Sequence, residues 1–409
     1  MKNILVFIFL ALSVCSCGQK TPKTVVQNSS TIGQPVETEN PNTDYKPAFS
    51  GQTRVAGVKT ITAIEAKIIT DKLSRPWDIV TMPDGRFLIT EKAAGTLRIV
   101  NNDGQMSDAI TGVPEVDAQG QGGLLGLVLD PDFKDNRMVY WSFSEPNKGG
   151  NLTAVAKGKL SGDEKKIENA RVIYRAVPVY DGDKHYGSRL VFGRDGYLYV
   201  STGERSDRET RPKAQHLDAA LGKILRIDKN GKAAPGNPFI GQSNALPEIY
   251  SLGHRNPQGL AIHPVTGDIW NSEMGPMGGD EINIIKPGKN YGWPTITYGL
   301  EYSGSKIGEG ITQKEGMEQP VYYWDPVLSP SGTTFYSGDA IPEWENNFFI
   351  GGLSSTHICR LVIEGNKVVG EERLLKDERQ RFRDIAQGND GALYAITDDG
   401  RLYRIGKKQ

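Results

Sequence analysis

Beyond residue 60 the apolar positions fall in short alternating runs, each introduced by a turn signal. Pro83-Asp84-Gly85 precedes Phe87-Leu88-Ile89, and Asp135-Asn136 precedes Met138-Val139-Tyr140-Trp141. Asp195-Gly196 precedes Tyr197-Leu198-Tyr199-Val200, and Thr266-Gly267 precedes Ile269-Trp270. Asn346-Asn347 leads into Phe348-Phe349-Ile350, and Asp390-Gly391 into Leu393-Tyr394-Ala395-Ile396. Asp-Gly between β-branched and aromatic runs is a strong local hairpin signal, because the turn needs a positive φ that glycine supplies. Helical periodicity is scarce, and residues 218–223 make one helical turn at most. Six hairpins at a spacing of roughly 60 residues predict an all-β six-bladed β-propeller, one blade per repeat. Residues 66–69 would pair with 401–405 to close the ring. A pair of large β-sandwiches is the competing architecture.

Ahead of this pattern the chain reads differently. Lys2 and the apolar run Ile4 to Leu12 form a targeting segment, too short for a spanning helix. The small residue before Cys17 resembles a lipobox, which would make Cys17 a lipid anchor and residues 1–17 a lipoprotein signal. Ordinary signal cleavage nearby is the alternative. Either way a periplasmic or cell-envelope location is expected. Residues 18–55, rich in Thr, Asn, Pro, Gln and Ser, read as a disordered tether, leaving 56–409 for the propeller domain. The tether carries almost no apolar periodicity.

Composition changes this picture little. The 409 residues are 37% hydrophobic and 24% charged, with a net charge of -1, so nothing electrostatic favours a nucleic-acid or membrane-surface partner. Two of the three cysteines lie in the targeting segment, so Cys359 can form no disulfide within the mature domain. The 48 glycines fit a chain of short strands and turns.

Candidate chemistry concentrates between residues 250 and 294, where charged residues sit among glycines that let backbone oxygens approach a ligand. It holds Arg255-Asn256, the corner Gly275-Pro276 and the acids Asp280-Glu281, and closes on Asn290-Tyr291-Gly292-Trp293-Pro294. Carboxylates and backbone carbonyls are hard oxygen donors that suit Ca²⁺ rather than zinc. Elsewhere, Gly120-Gln121-Gly122-Gly123 runs into a strand rather than a helix, which excludes a dinucleotide loop and leaves Gln121 as a turn residue or a ligand. His185 lies in a glycine-containing loop just before a strand, where a neutral imidazole can act as general base. Arg381 and Arg383 alternate along a strand and so share a face. They either grip an anionic ligand or pair with acids such as Asp384. His216, His254, His263 and His357 show no metal-ligand spacing and read as structural.

Six words in this order, GQGGLLG, HYGSRLVF, GHRNPQG, EMGPMGGDEIN, NYGWP and RFRD, lie within residues 73–405. Together they resemble the soluble aldose sugar dehydrogenases that depend on pyrroloquinoline quinone, the glucose/sorbosone dehydrogenase family. The resemblance implies a six-bladed propeller that oxidises aldose sugars to lactones and passes electrons to an unknown periplasmic acceptor. His185 would be the base that takes the anomeric hydroxyl proton. Gln121, Arg255, Asn256, Tyr302, Arg381 and Arg383 would contact the quinone. The carbonyls of Gly275 and Pro276 would hold a cofactor-bridging Ca²⁺, and Glu281 and Tyr291 a structural one. Two departures stand out: Ser354 replaces a lysine frequent in the family, and Lys184 replaces an acid or amide before the histidine.

A propeller lactonase would instead need carboxylates and amides converging on a catalytic metal, whereas the motifs here are rich in arginine. A non-enzymatic binding propeller would not need His185 to meet Arg381 and Arg383.

Overall fold

A computed structural model describes residues 23–24 and 33–408. The targeting segment and Cys17 lie outside the described residues.

Six antiparallel sheets follow one another along the chain. Their innermost strands are Pro76–Thr81, Leu124–Leu129, Leu190–Phe192, Pro257–Ile262, Pro330–Phe335 and Phe382–Gln387. Each is joined to its second strand by one of the six turns read from the sequence. The first blade has three strands and the next four blades have four each. The sixth is completed by Ile64–Thr70, which pairs antiparallel with Leu402–Lys407 in the register Ala66↔Ile405, Lys67↔Arg404. An N-terminal strand thus zips the last blade shut, as the ring-closure pairing predicts. Residues 218–223, one helical turn at most by periodicity, form none, and a 3₁₀ turn lies nearby at Arg211–Gln215.

Alternation explains the core. Both faces of each twisted sheet meet a neighbouring blade, so an apolar cluster fills each gap. Trp141 and Phe143 pack with Leu88 and Leu97 between the first and second blades. Phe87 and Ile89 pack with Tyr394 and Leu402 between the sixth and first. Trp270, Phe348 and Cys359 share the gap between the fourth and fifth.

The axis itself is polar and sealed. Arg189 Nη1 lies 2.5 Å from Asp78 Oδ2 and 2.8 Å from Asp384 Oδ2, and its Nε donates to the Gln258 carbonyl at 2.9 Å. Asp78 also accepts the Leu127 N–H, and Asp384 the Ile79 N–H. Blades one, two, three, four and six are therefore tied at one point. The Arg189 guanidinium stacks 4.5 Å from the Trp77 ring. Removing one member would strand buried charge, which costs roughly 3–5 kcal/mol.

The segment expected to be a tether is, over residues 33–55, laid on the propeller. The Asp325 carboxylate accepts the Asn42 and Thr43 N–H groups at 2.8 and 3.0 Å. Arg54 donates to the Asp325 carbonyl at 2.7 Å, and Glu37 pairs with Arg373 at 2.6 Å. Gln52 is fully buried, donating to the Pro320 carbonyl. The physical reason is that single polar anchors, not an apolar stripe, hold this segment down, and periodicity does not register them.

Candidate active site

The loops on one side of the ring bring His185 against Glu204, the two running from adjacent strands of the third blade. His185 Nδ1 lies 2.6 Å from Glu204 Oε1, which also accepts the Ser206 N–H at 3.1 Å. The carboxylate fixes the Nδ1–H tautomer and leaves the Nε2 lone pair without a protein partner. His185, Ser188, Arg205 and Ser206 all take left-handed backbone, with φ of 49, 79, 74 and 77°. Such conformations in non-glycine residues collect at functional sites, where packing over-determines them. At Gly203 a side chain would strike the His185 carbonyl, so only glycine permits these loops to touch. Arg205, buried beneath, donates to the Lys184 carbonyl at 3.1 Å and stacks 4.2 Å from the Tyr186 ring.

Burial, with repulsion from Arg255, lowers the His185 imidazole to about 4, against the opposing pull of Glu204. The ring is neutral at ordinary pH and ready to accept a proton.

Gln121 meets this dyad directly: its Oε1 accepts the His185 N–H at 2.9 Å. Asn256, fully buried, accepts the Gly187 N–H at 3.0 Å through Oδ1, which steadies the same loop. Arg255 donates through Nη1 to the carbonyls of Met274 and Gly275 at 3.1 and 2.6 Å, while its buried Nε has no partner. The guanidiniums of Arg255 and Arg211 each lie 5.2 Å from the Trp293 ring centroid.

The two alternating arginines do share a face, and an anion lies between them. It is Asp398 rather than Asp384, which is committed to Arg189. Asp398 accepts Arg381 Nε at 2.8 Å and Arg383 Nε at 2.7 Å. Arg383 Nη1 reaches Gln258 at 3.2 Å. Lys92, whose Nζ donates to the Gly120 carbonyl at 2.7 Å, is held below its usual range by burial and by repulsion from Arg383 and Arg75. Cations therefore crowd this mouth beyond what Asp398 balances, as a polycarboxylate ligand requires.

The Gly275 carbonyl already accepts from the Arg255 guanidinium at 2.6 Å, so a Ca²⁺ at this corner would compete with that cation for the oxygen. Asp280 braces that corner rather than offering free oxygens. Its carboxylate accepts the N–H groups of Gly275, Leu328 and Ser329 at 2.8, 2.7 and 2.6 Å, and burial pushes it up to about 6. Glu281 faces Glu273 across the strand pair Ile269–Glu273 and Asp280–Ile285. Burial and the Glu273 charge push its carboxyl above the usual range. A divalent cation between these two carboxylates would relieve that repulsion. The Tyr291 hydroxyl is spent on the Ile284 carbonyl and the Lys286 N–H, at 2.6 and 2.9 Å, so its main-chain oxygen is the donor it has to give.

Tyr302 is not brought to this cluster by any bond; it stands 75% exposed on the turn beside Glu301. Ser354 bonds the Ser329 hydroxyl at 2.5 Å. Sequence reasoning missed Glu204, Asp398 and Lys92. A repeat signals the first of them: His185 precedes Glu204, and His254 precedes Glu273, by the same 19 residues.

A six-bladed propeller with a histidine–carboxylate dyad inside a basic mouth defines a class of channel-mouth enzymes. Comparison with known proteins places the chain more narrowly. The family model described as glucose/sorbosone dehydrogenase matches residues 73–404, and the chain belongs to that family. It is 42% identical over 346 residues to the aldose sugar dehydrogenase YliI of Escherichia coli, covering 84% of this chain and 92% of that one. The crystal structure of the soluble aldose sugar dehydrogenase from E. coli, in the apo form, superposes with a TM-score of 0.81 at 41% identity, covering 84% of this chain and all of the other. The PQQ-bound aldose sugar dehydrogenase from Streptomyces coelicolor superposes with a TM-score of 0.69 at 29% identity, covering 85% and 99%.

Proposed function

We propose that the protein oxidises aldose sugars at the anomeric carbon to lactones, using pyrroloquinoline quinone and Ca²⁺. The observation that carries this reading is the uncharged His185 imidazole, held by Glu204, opening into a mouth with surplus cationic side chains. When bound, the quinone would supply the two-electron acceptor for the anomeric hydride, and Ca²⁺ would supply Lewis acidity. His185 Nε2 takes the proton of the anomeric hydroxyl, and Glu204 stabilises the imidazolium that results. Arg255, Arg381, Arg383 and Lys92 would bind the carboxylates of the cofactor, and Gln121 and Asn256 hold the His185 loop. Gly275 and Pro276 would hold the cofactor's Ca²⁺, and Glu281 with Tyr291 the second ion. Electrons leave to a periplasmic acceptor, consistent with an enzyme anchored at Cys17. The test is reconstitution of the full chain with pyrroloquinoline quinone and Ca²⁺, followed by dye reduction with a panel of aldoses. Cofactor-dependent reduction is expected; its absence with every sugar would sink the reading.

A further inference from the structure

The loop that carries the Gly275–Pro276 corner, residues 275–279, is strung between two flanking segments. On one side the Met277 N–H and carbonyl pair with Leu300 at 3.0 and 3.1 Å; on the other the Gly279 N–H donates to the Trp324 carbonyl at 2.8 Å. Contact is close on both sides. A side chain at Gly299 would strike the Gly278 carbonyl and the Pro276 ring, and one at Gly278 the Asp325 carboxylate. Gly278 and Gly279 hold φ of 83 and 71°, which glycine takes without strain. The place of the corner is therefore set by where residues 298–300 and 324–325 stand.

The N-terminal segment, residues 33–55, grips both flanks. The Asp325 carboxylate accepts the Asn42 N–H, the Thr43 N–H and the Thr43 hydroxyl at 2.8, 3.0 and 2.9 Å. Arg54 ties the Asp325 carbonyl, at 2.7 Å, to the carbonyls of Glu37 and Glu39, at 3.2 and 2.8 Å. Gln52, buried, takes the other flank. Its Oε1 lies 3.1 Å from the Tyr298 hydroxyl, its Nε2 donates to the Pro320 carbonyl at 2.9 Å, and its own carbonyl accepts the Tyr323 N–H at 2.9 Å. The rings of Tyr298 and Tyr323 stack at 3.9 Å, which joins the two flanks. This segment lies ahead of residues 73–404, so membership of the family does not account for it.

We propose that Gln52 and Arg54 are positioning residues for the cofactor end of the site. With residues 33–55 docked, the Gly275–Pro276 corner is fixed where Arg255 already donates to the Gly275 carbonyl; with them released, the corner loses both of its outer supports. The proposal rests on the reading that quinone and Ca²⁺ bind there. Supporting contacts of this kind are worth roughly 10–100-fold in metal affinity.

The test titrates the full chain with pyrroloquinoline quinone by tryptophan fluorescence over a series of Ca²⁺ concentrations. Gln52→Ala and Arg54→Ala should each raise the quinone dissociation constant about tenfold or more, and should need more Ca²⁺ for half-maximal binding. Arg54→Lys, which keeps a donor for the Asp325 carbonyl, should recover part of the loss. Arg86→Ala reports what a lost ion pair does by itself: it breaks the 2.7 Å contact with Glu164, far along the chain from the corner, and should change neither value. Arg54 is only half-buried, so its variants decide alone if Gln52→Ala fails to fold. A wild type that binds no quinone would overturn this proposal and the oxidation reading together. A wild type that binds it, with Arg54→Ala binding equally well or Arg86→Ala weakened to the same extent, would overturn this proposal alone.

Discussion

The third and fourth blades carry the same device and put it to opposite uses. In each, a histidine before the innermost strand meets a glutamate at or just past the end of the second one, 19 residues on, at 2.6 Å for His185–Glu204 and 2.8 Å for His254–Glu273. In the fourth blade the ring is sealed. Ser251 Oγ bonds His254 Nε2 at 2.9 Å, and Tyr291 stacks on the ring at 4.8 Å. Glu273 uses its other oxygen on the Arg255 N–H. In the third blade no protein group bonds Nε2. The dyad's second nitrogen is thus closed in one blade and open in the other. In the proposed mechanism the fourth blade positions the cofactor grip at Arg255 and the third handles the proton.

Mutations should separate the two roles. His185→Ala should lower turnover about 10²–10⁴-fold, the worth of a general base, in the protein that folds. His254→Ala should keep turnover at saturating cofactor but lose about 3 kcal/mol in denaturant unfolding, by opening a cavity and taking the partner from Glu273 Oε2. Comparable losses of turnover from both would erase the distinction.

Glu204→Gln should lower kcat more than it raises KM, since the ring would remain but the imidazolium would lose its stabilising charge. The pH profile sharpens this further. A folded value near 4, against an ordinary 6.5, keeps His185 competent through pH 5, so the acid limb of turnover should fall close to pH 4. The same depression means that the folded state disfavours the protonated ring. The His185 contribution to stability is full above pH 6.5 and is lost as pH falls toward 4. An acid limb at 6.5 would contradict the burial of this base.

Metal addition probes the fourth blade alone. Ca²⁺ should raise the melting temperature of the wild type, and Glu281→Gln should remove most of that rise by deleting one of the two facing carboxylates. An equal rise in the variant would move the ion elsewhere. The smallest effect is expected from Ser251→Ala, about 1 kcal/mol of stability for a single hydrogen bond, with turnover retained.

Much of this was legible before any coordinates. Turn signals such as Asp195-Gly196 are local, so the six hairpins and the pairing of Ala66 with Ile405 could be read from short windows. Local windows also show which residues share a strand face, which is how Arg381 and Arg383 were paired. They do not show what lies across from that face. Asp398 sits at the end of the neighbouring strand, and Glu204 two residues beyond another, so both were invisible to motif reading. Residues 33–55 deceived for a related reason: anchors such as Gln52 and Arg54 are isolated polar residues with distant partners. The resemblance assigns Tyr302 to the quinone, whereas the turn that bears it leaves it in solvent.

The most direct test is the rate at which an aldose reduces the quinone-loaded protein in a single anaerobic turnover, measured for wild type, His185→Ala and His254→Ala, with quinone affinity measured alongside. The account predicts unchanged affinity and a rate lowered at least a hundredfold in His185→Ala, and a weakened grip on the quinone with a near-normal rate at saturation in His254→Ala. Reduction of the His185→Ala protein at the wild-type rate would contradict it.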